Sequence, residues 1–141
     1  ACVFIDNKAG YIDRSGNVVI GFQFDSCSKF SEGLAAISLE EKWGYINKRG
    51  EIVISTQFKE ARGFSDGLAI ISLDNYYSLE KEPKFGVIDR SGNIIVEPKF
   101  EEISEFSNGT ARITLEGYVL DGYSIRWGYI NKKGEYLWKS W

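Results

Sequence analysis

Apolar and polar residues alternate with period two along most of the chain. The pattern is clearest in Thr110-Ala111-Arg112-Ile113-Thr114-Leu115, where Ala111, Ile113 and Leu115 share one parity. That is the period of a β-strand with one buried face. The same strand recurs at Leu34–Leu39 and Leu68–Leu73, and Ala1-Cys2-Val3-Phe4-Ile5 fits it with Ala1, Val3 and Ile5 on the buried parity. A second strand type begins at Gly10-Tyr11-Ile12-Asp13, Gly44-Tyr45-Ile46-Asn47, Gly86-Val87-Ile88-Asp89 and Gly128-Tyr129-Ile130-Asn131. Each copy runs into a Gly-bearing turn, and the first three then enter β-branched runs at Val18-Val19-Ile20, Ile52-Val53-Ile54 and Ile94-Ile95-Val96. Such runs on either side of a Gly turn predict a hairpin.

The signature glycines are 34, 42 and 42 positions apart (10 to 44, 44 to 86, 86 to 128). Fixed-period similarity marks a repeat architecture in which each unit buries its apolar face against its neighbours. The chain is predicted to be one all-β domain, 1–141, with units of about 1–33, 34–67, 68–109 and 110–141. Each unit contributes a three-stranded antiparallel meander, at about 1–24, 34–58, 68–100 and 110–139. The meanders form an open spiral array, with a closed propeller-like ring as the alternative; blades of true propellers carry four strands. The connections Phe24–Gly33, Phe58–Gly67 and Phe100–Gly109 share a Phe-x-x-φ-x-x-Phe-Ser-x-Gly pattern. The spacing of Phe24, Cys27 and Phe30 predicts a single helical turn there. Phe30, Phe64 and Phe106 are expected to plug the space between meanders, and Gly33, Gly67 and Gly109 to adopt positive φ.

Register is predicted by opposing Val3 with Ile12, Ile37 with Ile46 and Ile113 with Ile130, which places the last turn on Asp121-Gly122. The spacing difference of 42 − 34 = 8 residues is an insertion at that turn, and an even insertion keeps every side chain on its face. In the third copy Pro83 interrupts the ladder, so an irregular loop is expected at 74–84.

Trp43-Gly44-Tyr45-Ile46-Asn47-Lys48-Arg49-Gly50, then Gln57-Phe58, then Phe64-Ser65-Asp66-Gly67-Leu68-Ala69, resembles the WG repeat family of tandem β-repeats, found mainly in bacterial proteins. The resemblance covers essentially the whole chain, with Ala9 and Phe85 standing where the family has Trp. It implies an all-β array, no known catalytic residues and a role as an interaction or scaffold module.

Composition narrows the function classes. A net charge of −3 and a pI near 5.1 give no general attraction to nucleic acid or anionic lipid, and no apolar run is long enough for a membrane helix. The sequence has no His, which removes Ser-His-Asp and Cys-His nucleophile systems in cis and the commonest metal ligand. No enzyme activity, cofactor or metal is expected. Twenty acidic residues make chance carboxylate pairs inevitable, so a carboxylate-only hydrolase is the weakest of the readings. Asp13, Asn47, Asp89 and Asn131 are read as Asx-turn acceptors rather than ligands. The cations beside them (Arg14, Lys48, Arg49, Arg90, Lys132 and Lys133) are read as a mixed solvated rim with Glu32 and Asp66. Cys27 is read as a small buried hydrophobe, with a Cys2–Cys27 disulfide as the minor alternative. Trp43, Trp127, Tyr11, Tyr45 and Tyr129 recur on one parity and are assigned to the core.

The aromatic residues that do not recur are the binding candidates. Tyr76 and Tyr77 lie in one insertion and Tyr118 and Tyr123 in the other, while Trp138 and Trp141 end the last strand. Tyrosine gives contact area at low entropic cost, so these six are assigned to recognition, the alternatives being that the tyrosine arms fold back over an open end of the array and that the N-terminal unit caps the two tryptophans. A protein partner is expected, with a surface glycan as the alternative. The cell envelope or secretion is weighed above the cytoplasm, though cysteine usage does not settle the compartment.

Overall fold

The computed structural model describes residues 1–73, 83–119 and 122–141, with the side chains of 116–119 and 123 outside that description. It is all-β, with strands in four antiparallel sheets of three or four strands and no helix among the described residues. Two compact units divide the chain, Ala1–Phe64 and Ser65–Trp141. No described helix is long and apolar enough to cross a membrane.

In the first unit, β1 (Cys2–Ile5), β2 (Lys8–Ile12) and β3 (Val18–Phe24) form one sheet. A second sheet runs in the order β4 (Ser26–Cys27), β5 (Leu34–Leu39), β6 (Lys42–Asn47), β7 (Ile52–Phe58), and β8 (Glu60–Ala61) follows. In the second unit, β9 (Leu68–Ser72), β10 (Phe85–Asp89) and β11 (Ile94–Phe100) pair in sequence. There β12 (Glu102–Ile103), β13 (Thr110–Val119), β14 (Gly122–Asn131) and β15 (Tyr136–Lys139) form the last sheet. Among the described residues, strand β1 pairs with β2 alone and β15 with β14 alone.

Two expectations are corrected. The connections are not helical turns: each lays down a two-residue strand, as where Cys27 pairs with Ile37 and Ile103 with Ile113. The outer edge of β5 or β13 carries unpaired peptide groups, and the connection satisfies them. The hairpin register is also two residues from the predicted one. Val3 faces Gly10, Ile37 faces Gly44, Ile71 faces Gly86 and Ile113 faces Gly128. One step along, Ala35 faces Ile46, Ala69 faces Ile88 and Ala111 faces Ile130. Opposing a large residue to a small one fills the buried face evenly, whereas Ile against Ile overfills it. A slip of two leaves every face unchanged.

The turns then fall on Asp6-Asn7 (φ 49° and 63°) and Glu40-Glu41 (φ 50° and 65°), left-handed pairs as in a type I′ hairpin. The Glu40 N–H donates to Asp25 Oδ2 at 2.8 Å, which helps hold two glutamates in that conformation. The second insertion lengthens the β13–β14 ladder as far as Val119 opposite Gly122. The loop predicted at 74–84 lies outside the described residues except for Pro83 and Lys84, which are irregular.

Each unit has its own core, built the same way. One face of a sheet, carrying the Tyr or Val that follows the signature Gly, packs on the Ala/Ile face of the next sheet. In the first unit Ala9, Tyr11, Ile20 and Phe24 meet Ala35, Ile37 and Ile46. In the second, Ile70, Val87, Val96 and Phe100 meet Ala111, Ile113 and Ile130. Phe64 and Phe106 are buried as expected and Phe30 is half-buried. Gly33, Gly67 and Gly109 have φ of 80°, 80° and 78°, closing tight turns between Ser31 and Leu34, Ser65 and Leu68, and Ser107 and Thr110. Cys2 and Cys27 are joined in a disulfide, so the minor alternative holds, and it ties β1 to β4.

Candidate functional site

The tyrosine after the signature Gly shows how a junction is sealed. The Tyr11 ring packs on Phe30 with centroids 4.9 Å apart, and its hydroxyl donates to the Ser28 carbonyl at 2.7 Å. Tyr45 repeats this with Phe64 at 4.9 Å and the Arg62 carbonyl at 2.7 Å. Burial pushes the Tyr11 phenol up to about 12, and burial raises Tyr45 as well. Serines add a contact that the sequence reading missed. Ser31 Oγ donates to the Phe64 carbonyl at 2.6 Å, and Ser65 Oγ to that of Phe106 at 2.9 Å.

The last sheet carries the same residues in the open. Trp127 and Tyr129 are 37% and 40% exposed, against 0% for Tyr45, which corrects their assignment to the core. Tyr129 lies opposite Trp138 on β15 and opposite Arg112 on β13, so all share one face with Trp127. Trp138 is 50% exposed and its ring centroid lies 4.7 Å from that of Trp127. The Arg112 guanidinium sits 5.4 Å from the Trp127 ring, within cation–π range. Two substitutions accompany the exposure. Arg112 stands where earlier copies have Ala36 and Ile70, and Trp138 where they have Ile20, Ile54 and Val96. These changes, invisible in the Trp-Gly-Tyr-Ile motif itself, are the signal that the sequence reading passed over.

The other candidates fall as follows. Trp141 is exposed and packs edge-on to Tyr136 at 5.6 Å, with Lys139 near both rings. Tyr118 and Tyr123 are directly opposite one another in the β13–β14 ladder, and their side chains lie outside the description. Tyr76 and Tyr77 lie outside the described residues. A further apolar feature repeats on the outer strands, where Val18-Val19, Ile52-Val53 and Ile94-Ile95 are all exposed.

At the hairpin tips the Asx reading holds in every copy. Asp13 Oδ1 accepts from the Ser15 and Asn17 N–H groups, Asn47 Oδ1 from those of Arg49 and Glu51, Asp89 Oδ1 from Ser91 and Asn93, and Asn131 Oδ1 from Lys133 and Glu135. Each tip also pairs one amide with one carboxylate, Asn17 on Asp13 and Asn93 on Asp89, but Asn47 on Glu51 and Asn131 on Glu135. Asp66 lies 3.7 Å from Lys132, as a mixed rim requires. No group of three or more His, Cys, Asp or Glu suited to a metal occurs among the described residues.

Four copies of one hairpin, with the Tyr or Val face of one sheet sealed on the Ala/Ile face of the next within each unit, define a tandem β-repeat protein. The family of WG containing repeats matches the chain at residues 10–43, 43–77 and 85–118, and the chain belongs to that family. No curated protein is similar enough to match it.

Proposed function

We propose that the chain is a non-catalytic protein-interaction or scaffold module. The observation that carries this is the open face of the last sheet, where Trp127, Tyr129 and Trp138 stand exposed at positions that are buried or half-buried in earlier copies. Large apolar area left in water, rich in Trp and Tyr and edged by an arginine, has the composition of an interface centre. The reading also draws on the absence of His from the sequence, which leaves the commonest catalytic base unrepresented. The test is a purified binding measurement on a partner first identified by photo-crosslinking from position 127. The double variant Trp127→Ala/Trp138→Ala should bind at least tenfold more weakly with its fold unchanged. Equal binding by that variant sinks the assignment.

Arg112 beside the tilted Trp127–Trp138 pair also favours a second reading, a surface-associated carbohydrate-binding module in which sugar rings lie on the aromatic platform. A glycan array in which the same double variant loses every hit supports it. An array without hits removes it.

A further inference from the structure

The sheet-on-sheet junction is formed once within each unit, always from the same two faces. The first sheet and the last sheet each leave one of those faces uncovered, and the two uncovered faces are of opposite type. On the first sheet the open face is the Ala/Ile one. Ile5 is 53% exposed, while Val3 and Ile12 are half-buried beside exposed Ala1. These positions correspond to Ala35, Ile37, Leu39 and Ile46, of which Ala35, Ile37 and Ile46 are no more than 1% exposed. The apolar sequence is thus kept at a face that water reaches. On the last sheet the open face is the tyrosine one, with Trp127, Tyr129 and Trp138.

From this pairing we infer that the chain associates head to tail with a second copy of itself, the Val3/Ile5/Ile12 face of one copy seating on the Trp127/Tyr129/Trp138 face of the other. The inference rests on the reading of the last sheet as an interaction face, and it names the occupant. Continuity with the internal junctions is the argument, because the incoming face carries the residue types that the tyrosine face already packs against. One difference also finds a role. Internal junctions are filled by the Phe30 or Phe106 ring of a preceding connection, whereas the aromatic residue of β1, Phe4, lies on the parity opposite to Val3 and Ile5 and does not fill this face. Trp138, in place of Ile20 and Val96, brings the missing aromatic bulk from the other side. Such a contact is heterologous, so it either closes into a ring or continues as a filament.

The experiment uses the purified 141-residue chain and analytical ultracentrifugation over a concentration series. The native chain should pass from monomer to larger species as concentration rises. Trp138→Ala, which cripples the tyrosine face, and Ile5→Glu, which cripples the other, should each weaken self-association at least tenfold with circular dichroism unchanged. Ile5→Ser replaces Ile5→Glu if the charged variant does not fold. Mixing the two variants should restore a one-to-one dimer and nothing larger, since one intact junction remains between them. Failure of the mixture to dimerise overturns the inference, as does a native chain that stays monomeric throughout. So do crosslinks from position 138 that reach only other proteins, or only residues of the same molecule. If the chain is monomeric while Trp127→Ala/Trp138→Ala still loses a foreign partner, self-association falls and the interaction module stands. If self-association and partner binding both survive the loss of both tryptophans, the face itself has been misassigned.

Discussion

Two stretches of the molecule are nearly identical in sequence and opposite in environment. Trp43-Gly44-Tyr45-Ile46 and Trp127-Gly128-Tyr129-Ile130 occupy the same strand of their sheets, yet Tyr45 is 0% exposed and Tyr129 40%. The motif specifies a strand and a face. The neighbour specifies whether that face is core. Tyr45 has the Phe64 ring at 4.9 Å and the Arg62 carbonyl as hydrogen-bond acceptor. Tyr129 has only the edge of the Trp127 ring, at 6.1 Å, from its own strand. A repeat protein thus makes core and surface from one set of letters, and what changes is the residue supplied by the adjoining unit.

The largest effect that sharpens this contrast comes from removing the cover. Phe64 is 2% exposed, and Phe64→Ala should cost ~3–5 kcal/mol through lost burial and a cavity over Tyr45. Trp138→Ala, a larger truncation on the open face, should cost at most about 1 kcal/mol, for the loss of its packing on Trp127. Chemical denaturation of both variants checks the ordering. Equal losses would show that the two faces are alike after all.

A middle-sized effect separates two glycines. A Cβ on Gly44 would lie 2.6 Å from the Ile54 carbonyl oxygen, 2.8 Å from the Thr56 nitrogen and 2.9 Å from the Ser55 carbonyl carbon. The bulge in β7 between Phe58 and Ile54 presses its backbone onto that position, so Gly44→Ala should cost about 1–3 kcal/mol or more. Gly21 in β3 has open space around it and no left-handed φ, so Gly21→Ala should be neutral or stabilise by up to about 1 kcal/mol. Melting temperatures that fall equally in both variants would refute the steric account of the signature glycine.

Much of the fold was legible in the sequence, because the Gly spacing and the period-two faces are both local signals. The positive φ of Gly33, Gly67 and Gly109 and the Asx turns were legible for the same reason. Register was not, since it depends on matching Ile37 to Gly44 across strands rather than on either strand alone. The two-residue strands were missed because Phe24, Cys27 and Phe30 have a spacing that also suits a helical turn, and only the unpaired edge of β5 decides between them. Of the candidate site, Trp138 and Trp141 could be either capped or contact residues from the sequence alone, and both stand exposed. Trp127 and Tyr129 were not, because their motif matches that of a buried copy. Arg112 in place of Ala36 was the available clue.

The smallest effect concerns the hairpin tips, which the copies build in two ways. Copies one and three put the carboxylate first, as Asp13 and Asp89, while copies two and four put Asn47 and Asn131 there. The Asn17 N–H, with help from its side chain and the Ser15 N–H, holds Asp13 below the usual carboxylate range. Partial burial works the other way on Asp89, but the Asn93 and Ser91 donors outweigh it and its carboxyl is lowered too. A folded-state value below the unfolded one stabilises the fold at every pH above the unfolded value of 3.8, and that contribution is lost as pH falls through the folded value. The melting temperature should therefore be flat with respect to these groups near neutrality and decline below about pH 4. Asp13→Asn with Asn17→Glu, which copies the arrangement of Asn47 and Glu51, should leave the neutral-pH melt within a degree or two and keep the turn, since the Oδ1 acceptor survives. It removes Asp13 from the acid limb, so its decline below about pH 4 should differ from that of the native chain. A variant whose melt drops at neutral pH would show that the two tip designs are not interchangeable, and that the carboxylate at position 13 does more than accept the turn's N–H groups.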